Sequence, residues 1–296
     1  MPPPVGSLTP MSNTWKIACV QMNPTLGQSG GNLDRMLGSL ETAAAQGARL
    51  VIFPECALPG YCFDSRDEAW PHAEEVPGPS VESLARACRR LDVFAVMGML
   101  ERAGDGLFNA CVLVGPAGLV GSYRKIHLPF LGIDRFNNPG DRPFQVWDIG
   151  GLRVAMNICY DGSFPESARV MTLLGADLIA LPTNWPVGSE CAKDHMIATR
   201  AMENTLFYAA VDRVGEERGT RFIGGSRICD PSGKTLAVAG EDEETIIYGE
   251  VDPARARQKQ IVRVPGTHEI NRIRDRRPAF YGKLVEPVSR SDPGSQ

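Results

Sequence analysis

Short apolar runs alternate along the chain with stretches in which apolar residues recur at helical spacing. The runs at 15–22 and 49–55 are short and mostly apolar, which predicts two buried strands. Between them, apolar residues repeat every three or four positions, as on one face of a helix: Leu33, Met36, Leu37, Leu40 and Ala44. Gly47 then ends this helix. The chain therefore begins with a predicted strand, helix and strand.

The alternation continues through the first half of the chain. Ser80 is the predicted N-cap of a second helix, whose apolar face carries Val81, Leu84, Ala85, Cys88 and Leu91. Three strands are predicted after it, at 93–101, 108–114 and 119–124, the last two separated by a Pro-Ala-Gly turn.

The second half of the chain shows the same alternation of strands and helices. It predicts, in order, a strand at 152–158, a helix from Pro165, a strand at 177–182, a helix over roughly 191–203 and a strand at 206–214. A hairpin follows at 222–240, and its turn is the Asp-Pro-Ser-Gly sequence at 230–233. Mixed helices, strands and hairpins predict an α/β fold whose sheets are covered by helices and include antiparallel pairs.

No internal segment has the Pro, Gly or Ser content of a linker, so we expect one domain over 14–287. The polar segment 1–13 predicts a disordered leader, and 288–296 predicts a disordered tail. The leader has no apolar core of the kind that signal peptides contain. The longest apolar runs are too short to cross a bilayer. These features predict a cytoplasmic protein that does not bind membranes.

Composition narrows the possible partners and cofactors. The 296 residues carry a formal net charge of −4, which gives no general attraction to nucleic acid. The 8 cysteines show no metal-binding or disulfide-framework spacing, and the 4 histidines are far apart in sequence. We therefore expect free thiols in a reducing compartment, no metal site and no nucleic-acid partner.

Three reactive side chains occur where predicted strands end. Glu55 ends the strand at 49–55, Lys125 follows the strand at 119–124, and Cys159 ends the strand that leads to Pro165. Each residue alone has an ordinary interpretation, as a solvated carboxylate, a surface lysine or a buried core thiol. Together they supply a general base, a cation and a nucleophile at strand ends, where active sites of α/β proteins gather.

The order of these motifs resembles the nitrilase, or carbon–nitrogen hydrolase, superfamily. Glu55 in FPE, Lys125 in YRKIHLP and Cys159 in ICYD match its Glu-Lys-Cys triad. Further matching segments extend the resemblance over roughly residues 15 to 285: PGD at 139–141, PTNWP at 182–186, RAMEN at 200–204, GGSRICDPSG at 224–233 and RRPAFYGKL at 276–284.

The resemblance implies a four-layer α-β-β-α sandwich that forms a homodimer or higher homo-oligomer and uses neither a metal nor an organic cofactor. It implies a small-molecule substrate and an acyl-thioester intermediate on Cys159. Glu55 would be the base, while Lys125 and the backbone N–H of Tyr160 would stabilise the developing negative charge. Substrate contacts are expected from three further residues: Tyr61, Asn184 and Trp185.

Two positions depart from the common pattern. Asp134 stands where many members carry a second glutamate, and we expect it to support Lys125, although a simple pair with Arg135 or solvent is the alternative. Ser163 stands where many amidases have arginine, which argues against substrates whose carboxylate needs that arginine.

Tyr160 and Asp161 after the cysteine resemble amidase and carbamoylase members, so we expect a small linear amide or N-carbamoyl substrate. The alternatives are a nitrile hydrolase, a thiol hydrolase that uses His127 as its base, and a non-catalytic member that binds a ligand or partner.

Overall fold

The computed structural model describes residues 14–287, so the predicted leader at 1–13 and tail at 288–296 lie outside the described residues. Sixteen strands are assigned within this range. Those of the first half are β1 (Trp15–Gln21), β2 (Leu50–Ile52), β3 (Phe94–Ala103), β4 (Gly106–Gly115), β5 (Gly118–Arg124) and β6 (Val146–Asp148). The others are β7 (Arg153–Met156), β8 (Leu178–Pro182), β9 (Phe207–Val211), β10 (Glu216–Glu217), β11 (Thr220–Arg221), β12 (Arg227–Cys229), β13 (Thr235–Val238), β14 (Thr245–Val251), β15 (Ile261–Val264) and β16 (His268–Ile270).

Six α-helices are assigned in the described part of the chain: α1 (Ser29–Ala45), α2 (Arg66–Ala69), α3 (Pro79–Leu91), α4 (Pro165–Leu173), α5 (Ile197–Asn204) and α6 (Pro253–Arg257). Short 3-10 segments lie at Trp70–His72, Gly132–Arg135, Cys159–Ser163, Pro278–Phe280 and Gly282–Val285. No described helix is long and apolar enough to cross a membrane.

The first sheet has six strands in the order β14-β1-β2-β3-β4-β5. Strands β1, β2 and β3 are parallel, and β4 and β5 continue the sheet as antiparallel neighbours. Strands β2, β3 and β5 therefore run in the same direction. As a result, the residues that follow β2 and β5 emerge at one edge of the sheet.

The second sheet repeats this plan with the order β13-β12-β9-β8-β7-β6. Its central strands β7, β8 and β9 are parallel, and the flanking strands pair antiparallel. The segments that follow β7, β8 and β9 consequently share one edge. This edge carries Cys159, the Thr183-Asn184-Trp185 segment and Asp212.

Alternating side chains divide the apolar core into layers. In β1, Ile17 and Cys19 join a core cluster that also contains Met156 and Ala180 of the second sheet. The intervening Ala18 and Val20 join a separate cluster with helices α1 and α3. The two-residue period of a strand produces this division, because successive side chains point to opposite faces.

The helices cover the outer faces of the two sheets. Met36 of α1 and Leu84 of α3 pack on the first sheet, whereas Ile197 begins α5, which packs on β9 and β12 of the second sheet beside α4. The layers are thus helix, sheet, sheet and helix. This confirms the α/β class and the four-layer α-β-β-α sandwich.

Several element boundaries differ from those expected. Helix α3 begins at Pro79 with Gly78 as its N-cap, so the prediction of Ser80 as the cap was wrong. The Ser80 hydroxyl instead donates to Glu74 at 2.6 Å. The helix expected over 191–203 consists of a π-helical turn at Ala192–Met196 followed by α5. Strands β2 and β7 end before Glu55 and Cys159, so that Glu55 lies in a turn and Cys159 begins a 3-10 segment.

The chain divides into two compact units at Arg257 and Gln258. Both sheets and all six helices belong to the first unit. In the second unit, the described residues 258–287 form the hairpin β15–β16 and two short 3-10 segments. The expectation of one domain over 14–287 stays a prediction.

Candidate active site

Glu55 and Lys125 meet at the edge where β2 and β5 end. Lys125 Nζ donates to Glu55 Oε1 at 2.7 Å, and neither side chain is exposed to solvent. Asn109 Nδ2 donates to the same Glu55 oxygen at 2.6 Å. The other carboxylate oxygen, Oε2, is buried without a hydrogen-bond partner among the described residues. Glu55 therefore retains one oxygen that can accept a proton.

The environment of Glu55 favours a proton-accepting role. Burial raises the pKa of its carboxyl group, Lys125 opposes that rise, and the negative charge of Asp134 adds to it. A carboxylate with a raised pKa is a stronger base than one in water, which suits proton transfer near neutral pH.

Asp134 lies against Lys125, as expected of a supporting residue. Its Oδ2 accepts from Lys125 Nζ at 2.5 Å and from the Tyr61 hydroxyl at 2.8 Å. Arg135 donates to the carbonyl oxygens of Gly132 and Phe63 and makes no hydrogen bond to Asp134. The alternative of a simple pair with Arg135 or solvent is therefore wrong. Although aspartate is shorter than glutamate, it reaches Lys125 from the 3-10 segment Gly132–Arg135.

Two carboxylates hold the Lys125 ammonium in its charged form. Burial alone would lower the pKa of Lys125, but the negative charges of Asp134 and Glu55 raise it well above the ordinary value. A lysine that stays protonated is a fixed positive charge in a water-poor site. Such a charge can stabilise an oxyanion that forms next to it.

Asn109 is a site residue that the sequence analysis missed. Its side-chain Nδ2 donates to both Glu55 Oε1, at 2.6 Å, and Asp134 Oδ1, at 2.9 Å. Its backbone oxygen accepts the Lys125 N–H at 2.8 Å. The signal in the sequence was one amide in the apolar run LFNACVLV, where a buried polar side chain needs partners.

Cys159 occupies a strained turn between β7 and α4. Its φ angle is +46°, in the left-handed region that side chains other than glycine rarely adopt. Burial raises the pKa of its thiol, and the negative charge of Glu55 raises it further. Lys125, the Thr183 side chain and the Asn184 backbone act in the opposite direction. The thiol is thus neutral at rest and lies within electrostatic reach of both Glu55 and Lys125.

The Asp161 carboxylate holds this turn in place through hydrogen bonds. Its carboxylate accepts from the Ile158 N–H at 3.0 Å and from the Tyr123 hydroxyl at 2.7 Å. It also accepts the His127 backbone N–H and contacts His127 Nδ1 at 2.7 Å. The His127 ring is therefore bonded to Asp161 and stacked on Phe164. This arrangement gives His127 a structural position.

The remaining predicted residues occupy different places. Asn184 and Trp185 follow β8 and are buried, the Asn184 backbone acts on the Cys159 thiol, and both polar atoms of the Asn184 side chain lack partners among the described residues. Tyr61 is fully buried and donates its hydroxyl to Asp134, so it supports the Lys125 side of the site. The Tyr160 side chain is exposed, and its expected contribution is its backbone N–H. Direct substrate contact by these residues stays a prediction.

The described residues contain no group of three or more His, Cys, Asp or Glu side chains arranged to hold a metal ion. The polar groups that meet at Lys125 and Glu55 are instead one lysine, two carboxylates and the Asn109 amide, and the charges of Lys125 and Glu55 act on the Cys159 thiol. This set can transfer protons, stabilise an oxyanion and present a thiol.

Residues 16–260 match the model of the carbon–nitrogen hydrolase family. The chain belongs to this family, which lies in the nitrilase superfamily. A nitrilase from Pyrococcus abyssi is 40% identical over 90% of this chain and 98% of its own length. An (R)-stereoselective amidase from a Pseudomonas species is 34% identical over 92% and 94% of the two chains. These matches confirm the resemblance drawn from the sequence motifs and identify the chain as a carbon–nitrogen hydrolase.

Solved structures share the fold. A carbon–nitrogen hydrolase from Helicobacter pylori superposes with a TM-score of 0.82 at 23% identity, covering 93% of this chain and 99% of that one. An amidase from a Nesterenkonia species gives a TM-score of 0.76 at 22% identity, covering 92% and 96%. The fold of this hydrolase is therefore shared with proteins of quite different sequence.

Proposed function

We propose that this hydrolase cleaves small linear amides or N-carbamoyl compounds through an acyl thioester on Cys159. One observation carries the proposal. Glu55 is fully buried, Lys125 and Asn109 bind one of its oxygens, and the other oxygen has no partner among the described residues, while the charge of Glu55 acts on the Cys159 thiol. A base held by one oxygen and free at the other suits repeated proton transfer.

The first half of the reaction would form the thioester. Glu55 accepts the thiol proton as Cys159 sulfur attacks the carbonyl carbon, and the carbonyl oxygen becomes an oxyanion. Lys125 and the Tyr160 backbone N–H stabilise that oxyanion. The C–N bond then breaks as Glu55 returns the proton to the leaving nitrogen. The products of this half are ammonia or an amine and the acyl-enzyme.

The second half would release the acid. Glu55 accepts a proton from water while the water oxygen attacks the thioester carbon. The C–S bond breaks, the sulfur takes the proton back from Glu55, and a carboxylic acid leaves. For an N-carbamoyl substrate the released acid is a carbamic acid. Each step uses the same base in alternating protonation states, which the raised pKa of Glu55 favours.

Amides are the first choice of substrate because Tyr160 and Asp161 follow the nucleophile, as in amidase and carbamoylase members. Nitriles are the second candidate, and the 40% identity to a protein named nitrilase favours testing them. In a nitrile, the thiol would attack the carbon of the C≡N group, and ammonia would be released after water is added. Because both substrate classes release ammonia, one assay can compare them side by side.

We also infer that the protein works as a homodimer or higher homo-oligomer. Helix α4 and its C-cap residue leave three apolar side chains exposed at the end of the helix: Val170, Leu173 and Leu174. Their spacing of three and four residues puts them on one helix face. An exposed apolar face of this kind is typical of a contact with a second copy.

The decisive experiment measures ammonia release from matched pairs of primary amides and nitriles, such as isobutyramide and isobutyronitrile. Cys159→Ala and Glu55→Gln should each abolish release from the preferred substrate. A small N-carbamoyl amine belongs in the same panel, because it releases ammonia either as the leaving group or when the carbamic acid product decomposes. Greater turnover of the nitrile than of the amide would establish the second candidate.

Thiol labelling separates an enzyme that lacks its substrate from a non-catalytic protein. Cys191 is the exposed cysteine of the described residues, so labelling is done in a Cys191→Ser background. Rapid alkylation of Cys159 that changes in Glu55→Gln would support an activated nucleophile. Slow labelling of Cys159 at the same rate with and without Glu55→Gln, together with no ammonia release from any compound tested, would contradict the proposed function. Loss of activity in His127→Ala but not in Glu55→Gln would support the Cys-His mechanism instead.

A further inference from the structure

Asp212 is a buried carboxyl group for which the proposed mechanism has no use. It follows β9 directly and is fully buried. Its Oδ1 accepts the backbone N–H groups of Trp185 and Arg213, both at 2.9 Å. Its Oδ2 is buried without a hydrogen-bond partner among the described residues. A buried polar atom without a partner is costly, and this one calls for an explanation.

Asp212 lies at the same sheet edge as the nucleophile. Strands β8 and β9 are parallel, with Pro182 opposite Val211, so the segment after β8 and Asp212 leave the sheet side by side. The Thr183 N–H donates to the Val211 carbonyl at 2.9 Å and holds the two segments together. The Asn184 backbone acts on the Cys159 thiol, and the charge of Glu55 acts on Asp212. The carboxyl group therefore belongs to the surroundings of the reacting centre.

Unpartnered polar atoms are concentrated here. Besides Asp212 Oδ2, three more buried atoms have no partner in the part of the chain that the structure describes: the side-chain nitrogen and oxygen of Asn184, and Glu55 Oε2. Glu55 Oε2 is accounted for by its proposed proton transfers. Asn184 and Asp212 then remain as groups that need a donor and an acceptor from a bound molecule. Their partners would be polar atoms of the substrate.

The charges around the site indicate what that molecule carries. Glu55, Asp134 and Asp212 provide three carboxyl groups, whereas Lys125 is bound by the first two. Arg213 is next to Asp212 in sequence, but its guanidinium is paired with Glu217 at 2.8 Å. With all three carboxyl groups ionised, their negative charges would outnumber the one positive charge of Lys125. A positively charged substrate group would reduce this excess.

We propose that Asp212 is a specificity-determining residue that binds an ammonium group on the acyl part of the substrate. The preferred substrates would be amino acid amides and similar small amides in which a protonated amine lies near the scissile amide. For a primary amide, the leaving group is ammonia itself, so the amine can only be on the acyl side. This proposal rests on the proposed amide hydrolysis and names its substrate class.

The protonation behaviour of Asp212 is consistent with this role. Burial raises the pKa of its carboxyl well above the ordinary value, the backbone N–H groups of Trp185 and Arg213 lower it, and Glu55 raises it. A bound ammonium would favour the ionised form and lower the pKa again.

The test compares three nearly isosteric primary amides: isobutyramide, lactamide and alaninamide, the last as both enantiomers. They differ at one position, which is a methyl, a hydroxyl or an amino group. At about pH 7, where much of the amine is protonated, the enzyme should show its highest kcat/KM with one alaninamide enantiomer. In Asp212→Asn, the ratio of kcat/KM for alaninamide to that for isobutyramide should fall roughly tenfold or more, as expected for loss of a charged hydrogen bond.

Asn is the chosen replacement because its side-chain oxygen can still accept the Trp185 and Arg213 N–H groups. The matched control is Asp177→Asn, a fully buried aspartate that precedes β8 at the opposite edge and pairs with Arg153 and Arg257. It should leave the substrate ratio unchanged. A second readout needs no turnover: alaninamide should raise the melting temperature of Cys159→Ala but not that of Cys159→Ala with Asp212→Asn.

Three results would overturn the proposal. These are an unchanged substrate ratio in Asp212→Asn, equal preference for lactamide and alaninamide, or highest activity with isobutyramide. Failure of the proposed function looks different, because no amide of the series would then release ammonia in a Cys159-dependent manner. If isobutyramide is hydrolysed and alaninamide is not preferred, the amidase function is supported and the proposed role of Asp212 is wrong.

Discussion

Asn109 links the two carboxylates that bind Lys125. One side-chain nitrogen donates to both Glu55 and Asp134, and the Asn109 Oδ1 lies 3.6 Å from the Cys56 sulfur. Since this amide occupies Glu55 Oε1, it helps to keep Oε2 as the proton-accepting atom. Asn109 does not need to touch the substrate for this effect, so we regard it as a positioning residue.

Replacing Asn109 with alanine should lower kcat and move the acidic limb of the pH–activity profile to higher pH. The Asn109 hydrogen bond lowers the pKa of Glu55, so its loss raises that pKa. Activity that requires ionised Glu55 then begins at a higher pH. We expect kcat to fall about tenfold or more, the usual effect of disturbing a general base. The measurement is kcat and kcat/KM across the pH range.

The matched control is Asn32→Ala. Asn32 is also buried, and its amide bonds the backbone of Thr25 and Leu58 away from the site. It should reduce stability without moving the acidic limb. An Asn109→Ala profile that is lower in rate but unmoved in pH would assign Asn109 a structural role only.

At the scale of elements, the turn that carries Cys159 has a backbone conformation that is sterically unfavourable for residues other than glycine. Its φ of +46° is in the left-handed region, and Asp161 holds the turn through the Ile158 N–H. Strain at a functional residue persists when the surrounding hydrogen bonds fix it. The parallel strand β7 and helix α4 then present the thiol at the sheet edge.

The strain predicts an unusual order of stability at this position. Cys159→Gly should be more stable than Cys159→Ala by about 1 kcal/mol, because glycine adopts positive φ without steric cost. The free energy of unfolding from urea titration measures the difference. At Cys111, in the middle of strand β4, the order should be reversed, since glycine weakens a regular strand. Equal stability of the two Cys159 variants would mean that the turn relaxes when the thiol is removed.

At the scale of the whole molecule, the exposed face of α4 predicts self-association. Leu173 and Leu174 are about half exposed, at 48% and 52%, and they are the last residue and the C-cap of a helix whose other face packs in the core of the second sheet. Leu173→Glu with Leu174→Glu should shift the protein toward the monomer, because charges at an apolar contact are expensive to bury. Light scattering after size-exclusion chromatography gives the mass directly.

Leu119→Glu is the control for this prediction. Leu119 is a similarly exposed leucine at 38%, but it lies on β5 at the edge of the first sheet. It should leave the mass unchanged. A monomeric parent protein, or a double variant that keeps the parent mass, would contradict the predicted contact through α4.

The fold and the candidate catalytic residues could be predicted from the sequence because the patterns that indicate them lie within short segments of the chain. The two-residue and helical periods identified nearly every central strand and helix, and the motifs around Glu55, Lys125 and Cys159 identified the family. Boundaries were less accurate: Ser80 was mistaken for a cap because its hydroxyl suits that role. The Glu74 side chain competes for that hydroxyl in the folded protein.

What only the tertiary structure decided is which polar groups meet. Asn109 and Asp212 are single polar residues in or after apolar strands, and nothing local distinguishes them from other strand residues. Their importance arises from strand order and direction, which bring β4 beside β5 and β9 beside β8. The sequence by itself indicated the hydrolase family, the layered fold and the three candidate catalytic side chains, since these depend on local periodicity and short motifs. Hydrogen bonds and charge balance between distant segments depend on packing, and so they became visible only in the folded molecule.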